Sequence, residues 1–170
     1  MTGPKLTIIA LVALLASPAQ AADEALNCFG RSYSPEHLAA NPGQQVRMIE
    51  ARAMWMSGYT GPKRITGYEI RVQFRDDPRA FSASAACWPR ADGRLDCASD
   101  CDSGSFVPEI GADGRLRLHV GYLMAETDEL LPGERISNGC MQSLTRDISD
   151  KGPGNTTFML YPRDLRECRW

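Results

Sequence analysis

One short sequence occurs twice in this chain. Ala91-Asp92-Gly93-Arg94-Leu95 and Ala112-Asp113-Gly114-Arg115-Leu116 are the same five residues, 21 positions apart. Asp-Gly between alternating apolar segments marks a tight antiparallel hairpin, because glycine accepts the positive φ such a turn needs. The flanking residues differ, so the repetition is shared turn chemistry and not a duplicated unit. Two such turns commit the middle of the chain to an antiparallel sheet.

The first hairpin also predicts a covalent bond. With a three-residue loop at Ala91-Asp92-Gly93, Arg90 faces Arg94, and counting outward puts Cys87 opposite Cys97. Directly opposed residues have Cβ atoms about 4.5–5.5 Å apart, slightly wide of disulfide geometry and closer in non-hydrogen-bonded pairs. Cys28, Cys101, Cys140 and Cys168 remain, with three possible pairings. Cys28–Cys168 is the favoured one, holding both ends of the chain, with Cys101–Cys140 joining the meander to a later loop.

An even set of six cysteines suits an oxidising compartment. The N-terminus supplies an address for one. Lys5 precedes an apolar run from Leu6 to Ala16, Ser17-Pro18 breaks it, and Ala19-Gln20-Ala21 ends it. That is the order of a cleaved signal peptide. The run is shorter than the roughly 20 residues that span a bilayer. Cys28 lies too far beyond the run to be a lipid-anchored cysteine. The expectation is a leader at residues 1–21 and one β-rich domain at 22–170, periplasmic or secreted, with no transmembrane segment.

Cleavage removes Lys5 and no acid, leaving 18 basic against 21 acidic residues. No basic block is present, so the phosphate attraction used by nucleic-acid binders has no source, and no nucleic-acid partner is expected. Serine, not cysteine, is then the candidate nucleophile, since the thiols are paired.

Periodicity fills in the domain. Residues 22–33 read as a polar lead-in pinned at Cys28. Ser34-Pro35-Glu36 starts a helix of under two turns, with Ser34 as cap, and Asn41-Pro42-Gly43 stops it. Val46 to Met56 reads as a strand with Ile49, Ala51, Ala53 and Trp55 on one face and Val46 and Met48 on the other; helix is the alternative. Thr66 to Asp76 alternates cleanly, with Tyr68, Ile70, Val72 and Phe74 inward. In the second hairpin, Leu116, Leu118, Val120, Tyr122 and Met124 share an apolar face, and Arg115, Arg117 and His119 point away. Cys140, Met141, Leu144 and Ile148 have near-helical spacing, which predicts a short helix over 138–148. Thr156 to Tyr161 is a last strand; Ser57–Pro62 and Lys151–Asn155 are loops. Five to seven short strands and Gly/Pro turns make the fold mainly β: a small antiparallel barrel or sandwich with one or two short helices, stapled by disulfides.

Chemistry is harder to place. Cys97 and Cys101 have zinc-ligand spacing, but no second close pair follows. Asp96, Asp100, Asp102 and Glu109 do not follow the spacing of a calcium loop. Ser103-Gly104-Ser105 lacks the G-x-S-x-G context of a hydrolase elbow. No catalytic residue, metal or cofactor is assigned. Arg71 and Arg75 on one strand, and Arg117 and His119 on another, would form an anion-binding face if those strands adjoin. The leading expectation is a non-enzymatic envelope protein that binds a protein, glycan or small apolar ligand; an inhibitor of an incoming hydrolase such as lysozyme is one form of it. The alternatives are a small envelope hydrolase using a serine or carboxylate with His37 or His119, and a structural envelope component.

Overall fold

A computed structural model describes residues 25–56, 65–136, 140, 143–150, 156–168 and 170. The expected leader lies outside the described residues, as do the expected loops at 57–62 and 151–155. In chain order the elements are β1 (Ala25–Ser32), α1 (Pro35–Ala40), β2 (Val46–Met56), β3 (Ile65–Phe74), β4 (Ala80–Pro89), β5 (Leu95–Ala98), β6 (Gly104–Ile110), β7 (Leu116–Thr127), β8 (Leu144–Asp147) and β9 (Thr156–Pro162).

The two repeated pentapeptides make turns of one construction. Gly93 has φ 81° and Gly114 φ 73°. Arg90 N–H donates to the Arg94 carbonyl, and Gly111 N–H to that of Arg115. In each turn the aspartate accepts a bond from the arginine amide two residues on, at 3.1 Å. The β4–β5 hairpin therefore has the three-residue loop, and Cys87 stands opposite Cys97. Those two are disulfide-bonded, as are Cys28 with Cys168 and Cys101 with Cys140.

All the strand pairings are antiparallel, and eight strands close on themselves in the order β1-β2-β3-β4-β5-β6-β7-β9. The fold is thus a closed barrel and not a sandwich. The ninth strand, β8, pairs the far half of β7, beyond the reach of β9. On the other side of that half, Ser82 of β4 pairs with Glu126 of β7 and closes the end that β5 and β6 do not cover.

Inward residues follow the period of two, with shifts where a strand carries a bulge. Ile49, Ala51 and Ala53 of β2 and Tyr68, Ile70, Val72 and Phe74 of β3 are buried as their alternation requires. Val46 departs from the expected face and is fully buried. The β2–β3 register slips between Val46 and Met48, which resets the phase. A second slip corrects β7. Phe106 pairs with Val120 but Ser105 pairs with Tyr122, so Gly121 is an extra residue. Beyond it Leu123, Ala125 and Thr127 turn inward, while Tyr122 is 45% exposed. Tyr122 and Met124 are therefore not part of the inward face.

Two further expectations fail for one reason. The expected lead-in contains β1, and the expected helix over 138–148 gives way to β8 over Leu144–Asp147. Both segments take their conformation from a neighbouring strand with backbone groups to satisfy. β1 bridges β2 and β9, and β8 covers β7. Local spacing holds no record of that neighbour. α1 is as expected, with the Ser34 side chain accepting from His37 N–H.

The C-terminal segment lies against the outer face of β1 and β2. Cys28 points outward on β1, yet is only 4% exposed because Cys168 is bonded to it. Arg52 donates to the Cys168 carbonyl at 3.3 Å, and the Trp170 ring lies 5.3 Å from the Arg52 guanidinium and 5.8 Å from that of Arg71.

The two disulfides with strand partners close loops of different length, with sequence separations of 140 and 10. Loop-closure entropy makes the longer one worth about 5 kcal/mol and the shorter about 3. Replacing Cys28 and Cys168 by alanine should lower the urea midpoint more than replacing Cys87 and Cys97. Equal losses would show that loop closure does not set their contribution.

Candidate functional site

Among the described residues, the barrel interior is filled by side chains. Phe29, Phe74, Phe81, Phe106 and Phe158, with the inward aliphatics, form one buried cluster. Phe74 meets Phe81 edge to face at 5.1 Å. A small barrel filled this way is a packed core.

The outer surface carries a cleft of about 470 Å³ between α1 and the neighbouring ends of β1, β2 and β3. Tyr33, Leu38 and Met48 supply its apolar wall, and Arg47 and Arg75 supply charge. The Tyr33 ring stacks on His37 at 4.9 Å and lies under the Arg31 guanidinium. Burial pushes the Tyr33 phenol up, only partly offset by Arg31. Arg75 Nη1 makes two long bonds to the carbonyls of Leu38 and Gln44, at 3.3 and 3.4 Å.

Neither Arg47 nor Arg75 has an ion pair among the described residues, although Asp76 and Asp77 line an adjoining hollow with them. Those two acids are committed elsewhere. Arg146 takes Asp76 at 2.9 Å. Arg79, only 5% exposed, holds Asp77 through Nε and Nη2 at 3.0 and 2.7 Å, and also binds Glu134 and the Glu129 carbonyl. This buried cluster ties the 75–79 turn to the 128–136 segment.

The sequence-predicted residues do not converge. Arg71 and Arg75 are on or beside β3, and Arg117 and His119 are on the half of β7 that pairs with β6 and β9. The strands do not adjoin as anticipated, because Arg117 and His119 are flanked by β6 and β9 and not by β3. Arg71 sits by Glu50 and Trp170. Arg117 pairs with Glu109 and Asp113. Arg75 alone reaches the cleft, and there its companion is Arg47. Arg47 was missed because it sits at the β2 bulge, where alternation gives no guide.

The His37 imidazole has Gln44 Oε1 at 3.0 Å on Nε2 and stacks on Tyr33. His119 has Glu109 Oε2 at 3.3 Å on Nε2 and Thr157 Oγ1 at 3.2 Å on Nδ1. That is the order carboxylate, imidazole, hydroxyl. However, Glu109 is shared with Arg117 and all three side chains stand on the exposed sheet face. Among the described residues, no three His, Cys, Asp or Glu side chains gather as a metal-binding group. No described helix is long and apolar enough to cross a membrane.

Compared with family models, curated proteins and solved structures, the chain matches none. Its class is therefore given by its own geometry: a closed antiparallel barrel with a solid interior, three disulfides and clefts on its outside.

The Arg79 cluster makes a pH prediction. Hydrogen bonds from Arg79 hold the Asp77 carboxyl down at about 2, against 3.8 ordinarily. A depressed carboxyl stabilises the fold above its unfolded value, and that stabilisation is lost as pH falls through the folded one. The loss should therefore run from about pH 4 to about pH 2. Asp77→Asn should be less stable at neutral pH and show a shallower acid limb in urea midpoints over that window. An unchanged limb would mean that the pairing does not stabilise the fold.

Proposed function

We propose that this chain is an exported binding protein that holds an anionic ligand in the cleft under α1, outside a barrel that is itself a packed core. The observation that carries this reading is the pair Arg47 and Arg75: two guanidinium groups lining one cleft, neither with an ion pair among the described residues. Most other described arginines have a carboxylate partner, including Arg52, Arg71, Arg79, Arg117 and Arg146. Guanidinium forks match carboxylate and phosphate oxygens, and Tyr33, Leu38 and Met48 would take an apolar or aromatic stem. The ligand class is thus a carboxylate or phosphate monoester on an apolar group. The leader-like order of residues 1–21 and the three disulfides support a periplasmic or secreted site of action.

Phenyl phosphate is a suitable probe, with phenol as its uncharged control. Saturable chemical-shift changes at Tyr33, Leu38 and Met48 are expected with the phosphate and not with phenol. Losing charge-assisted hydrogen bonds costs about 1.5–3 kcal/mol, so Arg47→Gln with Arg75→Gln should weaken binding by roughly tenfold or more. A response that survives both substitutions would overturn the assignment.

A second reading rests on Glu109, His119 and Thr157, whose order is that of an acyl-transfer relay. It predicts p-nitrophenyl acetate hydrolysis that Thr157→Ala abolishes; turnover unchanged in that variant would remove it.

A further inference from the structure

The barrel wall has a split that Pro108 accounts for. β5 pairs with β6 only at Cys97 with Phe106 and Ala98 with Ser105. Ser99 N–H donates to the Gly104 carbonyl just beyond. Continuing that register the other way would bring Leu95 opposite Pro108, and proline has no N–H to give. The ladder stops, and Asp96 and Val107 become the two lips of a hollow of about 440 Å³. Gly121, the extra residue of β7, also lines it and contributes no side chain to fill it. Gly104 preserves this wall. Its φ is 105°, and a Cβ there would overlap the Tyr122 backbone.

The side chains around the split are of two kinds. Trp88 and Tyr122 are 38% and 45% exposed, large aromatics left in water. Trp88 lines the hollow, and Tyr122 stands beside it on the residue paired with Ser105. Asp96, Ser105 and His119 are polar and also line it. No arginine or lysine does, so this site has none of the cleft's preference for anions. An added peptide strand would need an edge of alternating donors and acceptors, which Pro108 interrupts. Asp96 accepts from Arg90 at 3.1 Å and His119 is bonded to Glu109 and Thr157, but a purely apolar ligand would still cover the remaining lone pairs of Asp96 and the Ser105 hydroxyl. A pyranose presents an apolar C–H face and a rim of hydroxyls, which answers both kinds of side chain.

We propose that the hollow at the β5–β6 split binds a neutral sugar, with Trp88 as its stacking face and Asp96 and Ser105 as hydroxyl partners. The site is separate in position and chemistry from the arginine cleft, and stands or falls without it.

The test uses the mature, disulfide-bonded protein with three probes: maltotriose, cellotriose and N-acetylchitotriose. At least one should give saturable amide shifts at Ser105, Val107 and Gly121 by about 20 mM, a range that corresponds to weak millimolar binding. Trp88 is exposed, so Trp88→Ala should keep its urea midpoint while weakening that sugar by about tenfold. The paired Arg47→Gln and Arg75→Gln variant should bind the same sugar as the parent does, which separates this site from the cleft. Silence at those amides for all three sugars would overturn the proposal. So would a Trp88→Ala variant that binds unchanged.

Discussion

The barrel depends on how its last strand meets its first. β1 and β9 share only two paired positions, Phe29 with Pro162 and Gly30 with Tyr161, the thinnest ladder in the ring together with β5–β6. A two-pair ladder is a weak closure on its own. The Cys28–Cys168 bond lies immediately beside it and holds the segment after β9 against β1. Arg163 N–H adds a bond to the Cys28 carbonyl at 2.9 Å. Closure removes the exposed edges of an open sheet, and those edges are where chains associate wrongly.

Closure then decides where function can lie. Eight strands leave an interior just wide enough for side chains, and phenylalanines and aliphatics occupy it. The two proposed binding sites lie where the wall is interrupted or covered. One is the cleft beneath α1, beside the β2 bulge, where Arg47 and Arg75 have no ion pair among the described residues. The other is the gap that follows Pro108. Both arise from local departures from a regular ladder, which is where sheets present groups that regular pairing would consume.

Much of the sheet was legible in the residues. The two Asp-Gly turns, the Cys87–Cys97 pairing and the inward faces of β3 and the first half of β7 follow from turn chemistry and a period of two. β1 and β8 were not legible, since their alternation is weak and their partners are distant in sequence. The phase shifts at Val46 and Gly121 were equally hidden, because a bulge is defined by the strand opposite. The site was legible only in fragments. Arg75 was singled out for its charge, but its grouping with Arg71, Arg117 and His119 assumed that similar strand faces adjoin.

What the sequence determined by itself was local: where the chain reverses, which faces of the cleanest strands are apolar, and which two cysteines a hairpin brings together. Turn residues and alternation act over a few positions, so they can be read without knowing the rest. The tertiary structure decided that the sheet closes, that its interior is full, and that Arg47 shares a cleft with Arg75. Those outcomes turn on pairings between strands far apart in the chain. Their register is set by packing and by the need to satisfy every buried backbone group, and no local pattern records it.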